Sequence, residues 1–247
     1  MRLDQALVER GLAPTRERAR ALILAREIEV DGEVALRAAA PVGADSELRV
    51  RSAQRYVSRG GEKLEGALVG TGIDVRGRRC LDVGASTGGF TDCLLQHGAA
   101  HVTAVDVGYG QLATALREDP RVTVLERTNA RALGPLEESV DLVTIDVSFI
   151  SITTVLPAIL ESVRPGGDVL AMVKPQFEAG REQIERGGGG VIRDPLVHAS
   201  TVADVAVWAI HRGLRVRGVV RSPLLGPKGN REFFLWLRVP ELVGGGG

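Results

Sequence analysis

The fold is decided by one stretch of the chain, Asp82-Val83-Gly84-Ala85-Ser86-Thr87-Gly88-Gly89-Phe90. Leu81, Asp82 and Val83 are typical of the end of a buried strand, and the glycines that follow allow the backbone to approach a ligand closely. A helix that begins near Phe90 turns its first N–H groups towards the same place. Because ligands of open α/β sheets bind at the carboxyl ends of the strands, the stretch predicts a nucleotide-binding turn.

Strand-like and helix-like segments alternate outward from this turn. The predicted strands are Cys80–Val83, Val102–Val107, Val122–Leu125, Leu142–Val147, Val169–Val173, Val216–Val220 and Phe233–Val239. Helical patterns lie between the early ones, at 90–98, 110–118, 152–164 and 197–212. Such alternation predicts an α/β fold with a seven-stranded, mostly parallel, Rossmann-like sheet covered on both faces, of the type found in methyltransferases.

The first 50 residues have a different texture. Leu3, Leu7, Leu22 and Ile23 belong to helical patterns, Thr15 is placed to cap the second helix, and Asp31-Gly32 predicts a hairpin turn. We therefore expect a small α+β module over 1–52, a basic linker over 53–62, a large domain over 63–243 and a frayed tail over 244–247. The run Gly187–Gly190 predicts a loop or lid.

Composition narrows the class of protein. Of 247 residues, 44% are hydrophobic, and 31 Lys and Arg balance 31 Asp and Glu, so net charge gives no sign of a nucleic-acid partner. Cys80 and Cys93 form no metal-binding pattern, which argues against a zinc site, and no run is long and apolar enough to span a bilayer. We expect a cytoplasmic protein without a metal.

Three further side chains follow predicted strands and belong with the turn. Asp106 ends the second strand and is placed to accept hydrogen bonds from ribose hydroxyls, Asn129 ends the third strand within reach of an adenine, and Asp146 ends the fourth. The predicted cofactor-binding residues are Asp82, Gly84, Ser86, Gly88, Gly89, Phe90, Asp106, Val107, Asn129 and Asp146.

A glycine turn alone does not identify the reaction, since dehydrogenases use the same logic. Methyl transfer is favoured by the DxGAxxGGF form of the turn, by its position after a small module, and by Asp146-Val147-Ser148-Phe149 at the end of the fourth strand. A dinucleotide oxidoreductase and a glycine-rich turn without a cofactor remain the alternatives at this point. S-adenosylmethionine is the predicted cofactor.

The sequence resembles the TlyA-type, or hemolysin-A-like, ribosomal RNA 2′-O-methyltransferases, whose catalytic domain is similar to that of FtsJ-type enzymes. Besides the glycine turn, the matching stretches are Ser58–Leu64, Val105–Leu112, Asp146–Ser151, Lys174–Glu178 and Gly226–Glu232. The first 50 residues resemble the S-four-type RNA-binding module. The resemblance implies a catalytic tetrad of Lys63, Asp146, Lys174 and Glu232, and cytidine in ribosomal RNA as the substrate.

The residue types of this tetrad suit the chemistry. A ribose 2′-hydroxyl is a poor nucleophile near neutral pH and needs a group that takes its proton as the oxygen attacks. Lys174 is the predicted base, and Asp146 and Glu232 orient the two amines. Taken singly, each of the four has the plain alternative of an ion-pair residue at the surface.

Arginines at two places are the predicted RNA contacts. Arg16, Arg18 and Arg20 open the second predicted helix, and Arg55 and Arg59 lie near the boundary of the module. The segment 1–51 has nine arginines and nine acidic residues, so binding would depend on clustering, and a solvated helix face is the plain alternative. Tyr56 or Phe149 is expected to stack on a base.

Two other functions stay open on the sequence. A pore-forming hemolysin would need a membrane-active segment, which we do not find, and a non-catalytic ribosome-assembly factor would not need the tetrad. Ribosomal RNA in assembled subunits is the expected partner. The resemblance favours the large subunit over the small one, because family members restricted to the large subunit are shorter at their ends and this sequence starts close to its first helix.

Overall fold

The computed structural model of the protein describes residues 1–50, 55–179, 191–226 and 228–241. The chain divides into two compact units, the first from Met1 to Arg55 and the second from Tyr56 onward. Gly187–Gly190 and the tail 244–247, where the sequence predicts a lid and a frayed end, lie outside the described residues.

The first unit contains two helices and a three-stranded sheet. They are α1 (Leu3–Glu9), α2 (Arg16–Leu24), β1 (Ile28–Val30), β2 (Glu33–Val34) and β3 (Leu48–Val50), with sheet order β2-β1-β3. The Thr15 hydroxyl accepts from the N–H of Arg18 (3.2 Å) and caps α2 as expected. Val30 pairs with Glu33, and both Asp31 and Gly32 have positive φ, which is the tight hairpin turn that the sequence predicts.

The second unit contains a seven-stranded sheet with helices on both faces. Its helices are α3 (Arg59–Thr71), α4 (Gly89–Gln96), α5 (Thr114–Arg117), α6 (Ile152–Leu160), α7 (Pro175–Glu178) and α8 (Pro195–His211). Its strands are β4 (Arg79–Val83), β5 (His101–Val105), β6 (Val122–Leu125), β7 (Val140–Ile145), β8 (Val163–Val173), β9 (Arg215–Arg221) and β10 (Phe233–Arg238).

The sheet order is β6-β5-β4-β7-β8-β10-β9. Strands β4 to β8 pair in parallel, and β10 pairs antiparallel with both β8 and β9. The predicted fold class is therefore confirmed, including the closing pair of strands. The strand order changes direction between β4 and β7, so a crevice opens there at the carboxyl ends of the strands.

Two apolar layers hold the sheet. On one face, α3 and α4 pack through side chains such as Leu64 and Leu94 against Phe234. On the other face, α6 and α8 contribute Leu156 and Val205 to a second buried cluster. Because both faces are covered, central strands such as β4 and β7 are buried along nearly their whole length, which made them easy to predict, whereas the edge strand β9 alternates exposed and half-buried residues.

Two segments differ from the sequence prediction. The helix expected over 110–118 is only α5, because the N–H groups of Gly108 and Gly110 are held by the carboxylates of Asp106 (2.7 Å) and Glu126 (2.9 Å) in a loop. Residues 59–62, expected in the linker, form the first turn of α3. A side chain on Gly61 would lie 2.2 Å from the Tyr56 ring, so close packing there outweighs the weak helix propensity of glycine.

Candidate functional site

A cleft of about 440 Å³ opens at the carboxyl ends of β4, β5 and β7. Its lining includes six of the ten predicted cofactor residues, namely Gly84, Ser86, Asp106, Val107, Asn129 and Asp146. Apolar contacts come from Val105, Ile150 and Val155. The cleft thus combines carboxylates, an amide and apolar walls, which is the chemistry that a nucleoside requires.

Gly84 has a packing reason to be glycine that differs from the one inferred from the sequence. Its φ is +84°, and a Cβ there would lie 2.4 Å from the carbonyl oxygen of Asp146 on the neighbouring strand. The space above Gly84 is therefore taken by protein backbone, and the missing side chain brings the ends of β4 and β7 together.

Asp106 is fixed by backbone donors on both sides. Its Oδ2 accepts from the N–H of Ser86 (2.8 Å), and its Oδ1 accepts from the N–H of Gly108 (2.7 Å). A carboxylate has about four acceptor positions, so these two bonds orient the group and leave capacity for a ligand. Asn129 also serves the backbone, since its Oδ1 accepts from the N–H of Arg131 (3.1 Å).

Four predicted cofactor residues do not line the cleft. Asp82 is fully buried, and its carboxylate accepts from the hydroxyls of Thr91 (2.7 Å) and Thr144 (3.1 Å). Phe90 packs against Phe234 with ring centroids 5.9 Å apart. Gly88 and Gly89 shape the start of α4, and Gly88 is its left-handed N-cap. These four residues pack behind the turn or form the start of α4, and they do not face the cleft.

The burial of Asp82 has an electrostatic consequence. Loss of hydration raises the pKa of this carboxyl to about 7, the nearby charge of Asp146 adds to the rise, and the hydrogen bonds from Thr91 and Thr144 oppose it.

The four residues of the implied tetrad form two ion pairs. Lys63 Nζ lies 2.6 Å from Glu232 Oε2, and Lys174 Nζ lies 2.5 Å from Asp146 Oδ1. The side chains of Lys63, Glu232 and Lys174 are at most 10% exposed. Each buried cation is thus neutralised by one carboxylate.

Strand register brings the two pairs to one edge of the sheet. Phe233 pairs with Val173 in antiparallel β10 and β8, so Glu232 and Lys174 stand opposite each other one step beyond the strand ends. Asp146 directly follows β7, the other neighbour of β8. Lys63 reaches this edge from α3.

Ser148 is a site residue to which the sequence analysis gave no role. Lys174 Nζ donates to Ser148 Oγ (3.0 Å), so the amine is held by two oxygens. In the parallel register of β7 and β8, Ile145 pairs with Ala171, a separation of 26 positions that also relates Ser148 to Lys174. This constant offset of 26 positions could have identified Ser148 as a neighbour of Lys174 from the sequence.

Phe149 directly follows Ser148 and lies on a strained turn. The side chain is 90% exposed, and its φ of +64° is unfavourable for a bulky residue. Its ring contacts Phe177 with centroids 4.9 Å apart. The loop is anchored just beyond, where the Glu178 carboxylate accepts from Ser151 Oγ (2.6 Å) and the N–H of Ile152 (2.7 Å). Backbone strain kept in this way is typical of functional sites.

Two of the arginines predicted in the first unit, Arg16 and Arg20, surround one buried carboxylate together with Arg2, which the sequence did not single out. Asp4 Oδ2 lies 3.1 Å from both Arg16 Nη2 and Arg20 Nε, and Asp4 Oδ1 lies 3.0 Å from Arg2 Nε. The Asp4 side chain is fully buried, whereas the three arginine side chains remain about half exposed, at 44 to 54%. We call this group the Asp4 cluster. Its pKa consequence is that the guanidinium groups hold the pKa of Asp4 well below its usual range.

The other predicted RNA residues are dispersed. Arg18 is exposed on α2, and Arg55 is exposed at the end of the first unit. Arg59 is exposed at the start of α3 and donates from Nη2 to the carbonyl oxygen of Leu225 (3.2 Å). Tyr56 is only 2% exposed, so the expectation that it stacks on a base is wrong, and Phe149 is the exposed aromatic of the two.

Both units of the chain match known protein families. The FtsJ-like methyltransferase family matches residues 56–239, and the S4 domain family matches residues 1–48. TlyA of Mycobacterium tuberculosis, a 16S/23S rRNA (cytidine-2′-O)-methyltransferase, is 53% identical over 96% of this chain and 89% of its own length. Hemolysin A of Brachyspira hyodysenteriae is 39% identical over 94% of this chain and 98% of its own.

Among solved structures, one named for a hemolysin of Streptococcus thermophilus superposes with a TM-score of 0.75 at 40% identity. The match covers 99% of this chain and 91% of that one. A helix that could cross a membrane is not found anywhere in the described residues.

Proposed function

The chain belongs to the FtsJ-like methyltransferase family, and on that premise we propose that it transfers a methyl group from S-adenosylmethionine to the 2′-hydroxyl of cytidine in ribosomal RNA. The observation that carries the proposal is the pair of ion pairs, Lys63 with Glu232 and Lys174 with Asp146, at the edge of the sheet where Asp146 also lines the cleft. The enzyme would act in the cytoplasm, where ribosomal subunits assemble.

The donor set of the cleft fits the proposed cofactor. Asp106 retains acceptor positions for ribose hydroxyls, Asn129 offers an amide to the adenine edge, and Val107 and Ile150 provide apolar contact. Gly84 and Ser86 line the same space, and Asp146 borders it on the side of the ion pairs. When bound, the cofactor supplies a methyl group already activated by a positively charged sulfur.

Lys174 is the proposed base. Its amine is fixed by Asp146 and Ser148, so a ribose hydroxyl that approaches it is held in one orientation. As the 2′-oxygen forms its bond to the methyl carbon, the bond from that carbon to sulfur breaks and the sulfur keeps the electron pair. Lys174, after releasing its own proton to water, takes the hydroxyl proton, and Asp146 stabilises the ammonium that results. Lys63 and Glu232 complete the edge as a neutral pair, so the site gains no net charge from them.

Recognition of RNA is assigned to the arginines and to Phe149. Guanidinium groups of Arg16, Arg18 and Arg20 would contact phosphates, and so would Arg55 at the end of the first unit and Arg59 in the second. The exposed ring of Phe149, in contact with Phe177, is placed to stack on a base that has left its helix.

The substrate is ribosomal RNA within subunits. The name of the M. tuberculosis relative covers both 16S and 23S RNA. We keep large-subunit RNA as the first substrate to test, with small-subunit RNA in the same assay.

The test is methyl transfer from labelled S-adenosylmethionine to undermethylated subunits of each kind. We expect label at a cytidine ribose, mapped by resistance of the 2′-O-methylated linkage to alkaline cleavage. Lys174→Ala should lower kcat by about 100-fold or more, the range that general-base catalysis supplies, while cofactor affinity measured by calorimetry stays nearly unchanged.

A matched control is Lys228→Ala, which removes an exposed lysine outside the tetrad. Normal turnover by Lys174→Ala would refute its role. An unlabelled RNA together with lysis of red cells by the purified protein would overturn the proposal in favour of a hemolysin. An unlabelled RNA that nevertheless binds the protein would favour an assembly factor.

A further inference from the structure

A second cleft in the catalytic unit is lined by arginines that the proposed reaction does not use. It has a volume of about 490 Å³ and lies between the start of α8 and the ends of β9 and β10 that meet there. Arg193, Arg221 and Arg231 line it, and all three are exposed. We call it the arginine cleft.

The arginines of the arginine cleft have no carboxylate partner among the residues that the structure describes. In the described part of the chain, none of the three guanidinium groups lies in an ion pair. The neighbouring carboxylate of Asp194 is engaged at the N-terminus of α8, where it accepts from the N–H of Leu196 (2.8 Å). Three unpaired cations in one concave surface create a positive potential that attracts a polyanion. Six of the thirteen other arginines described in the second unit are paired with carboxylates, namely Arg76, Arg78, Arg79, Arg117, Arg121 and Arg164.

The floor of the arginine cleft is apolar and firmly held. Pro195, Val202 and Phe233 line it, and the His198 ring packs against Phe233 with centroids 5.6 Å apart. The buried His198 also donates from Nε2 to the carbonyl oxygen of Ile192 (2.9 Å). The partly exposed ring of Phe233 gives a nucleic acid an apolar contact between the charges.

The arginine cleft is coupled to the proposed active site through one strand. Glu232 lies between Arg231 and Phe233, whose side chains line the cleft, while its own carboxylate binds Lys63. Asn230, which precedes Arg231, accepts at Oδ1 from the N–H of Ile192 (2.9 Å). This bond links the segment beside Arg193 to the residues just before β10.

From these observations we infer that the arginine cleft binds backbone phosphates of the RNA substrate next to the nucleotide that is methylated. The inference rests on the proposed function for the identity of the substrate. It assigns Arg193, Arg221 and Arg231 a role separate from that of the N-terminal unit: they hold the flanking strand at the catalytic edge. Such contacts position the backbone and carry no sequence information.

The test compares two triple variants of the full chain. In the first, Arg193→Gln, Arg221→Gln and Arg231→Gln remove the cleft charges. In the matched control, Arg76→Gln, Arg121→Gln and Arg212→Gln remove the same charge elsewhere, and Arg212 lies at the far end of α8, about 25 Å away for a helix of this length. Methyl transfer is measured as a function of subunit and salt concentration.

We expect the cleft variant to raise KM for subunits by about tenfold near 0.15 M salt. The slope of log kcat/KM against log salt concentration should become less negative by about 2, since each lost phosphate contact removes about 0.7 to 0.9 from that slope. At saturating subunits kcat stays within about twofold, and the control variant behaves as the unaltered protein. Equal KM and equal salt dependence in the two variants would overturn the inference.

A direct binding measurement separates this inference from the proposed function. Fluorescence anisotropy measures the affinity for a ribosomal RNA fragment even if no methyl is transferred. The cleft variant should bind the fragment more weakly than the control variant. Inorganic triphosphate is the probe for a small anion. If triphosphate binding depends on the three arginines while RNA affinity does not, the cleft serves a free polyanion and the inference is wrong.

Discussion

Asp82 is a carboxylate buried without a cationic partner among the contacts described for it. Its oxygens accept hydroxyl hydrogen bonds from Thr91 and Thr144, and burial raises its pKa to about 7. Folding therefore favours the protonated form, so the stability contributed by this group is present at low pH. It is lost as the pH rises from the ordinary carboxyl pKa of about 4 through the raised value.

Asp82→Asn should remove this pH dependence, because the amide cannot ionise. The free energy of unfolding of the variant, relative to the unaltered protein, should rise between pH 5 and pH 7 by at most about 1.4 kcal/mol per pH unit, and level off above pH 7. Urea unfolding at pH 5 and pH 8 measures it. Asp74→Asn is the control, since the paired Arg76 lowers the pKa of Asp74 to about 2, below this window. Parallel pH profiles of Asp82→Asn and the unaltered protein would contradict the argument.

At the scale of the element, the glycine turn joins two strand ends as well as facing the cleft. A Cβ on Gly84 would overlap the Asp146 carbonyl oxygen at 2.4 Å, and φ there is +84°. Any side chain must push the end of β7 away and displace the carboxylate that holds Lys174.

Gly84→Ala should therefore cost more than conformational strain alone. We expect about 2 to 6 kcal/mol from strain and overpacking together, with methyl transfer lost even at temperatures where the variant stays folded. Gly72→Ala is the matched control, because Gly72 has φ +70° but open space around it, and should cost about 1 kcal/mol with normal activity. Thermal unfolding and methyl transfer are measured for both variants. Equal losses of stability and activity in the two would show that the crowding at Gly84 is unimportant.

The elements differ in how far sequence could predict them. Strands such as β4 and β6 are short apolar runs between turn signals, so pattern alone located them. The segment 110–118 carried a helical pattern, but its start is held as a loop by Asp106 and Glu126, a tertiary effect that no local pattern contains. The glycine-rich start of α3 was missed for the same reason, because its close packing against Tyr56 is visible only in three dimensions.

The candidate site divides along the same line. Asp106, Gly84 and Asp146 follow strands and were predicted from position. Lys63 and Glu232, 169 positions apart, were assigned to the site only through family resemblance, and their pairing is seen only in the structure. Asp82 and Phe90 were assigned to the ligand because they belong to the motif, but the structure turns them into the protein interior. A motif shows which residues occur together and not which of them touch the ligand.

At the scale of the whole molecule, RNA binding must depend on arrangement, because the formal net charge is zero. The Asp4 cluster shows one such arrangement: a fully buried carboxylate gathers Arg2, Arg16 and Arg20 at one surface of the first unit. Guanidinium groups that are already oriented lose less side-chain freedom when they bind phosphate. Asp4 is therefore expected to assist RNA binding although its charge opposes it.

Asp4→Asn separates arrangement from charge, since the two arguments predict opposite signs. The substitution makes the protein more positive by one charge, so summed charge alone predicts tighter RNA binding and a steeper salt dependence. Loss of orientation predicts weaker binding, and we expect the affinity for a ribosomal RNA fragment to fall about three- to tenfold, as it does when preorganised contacts are loosened. Anisotropy titrations at several salt concentrations measure it, with Glu9→Gln, which adds the same charge at the exposed end of α1, as the control. Thermal unfolding identifies the range in which the variant is folded. Within that range, tighter binding by Asp4→Asn would show that these arginines act only as summed charge.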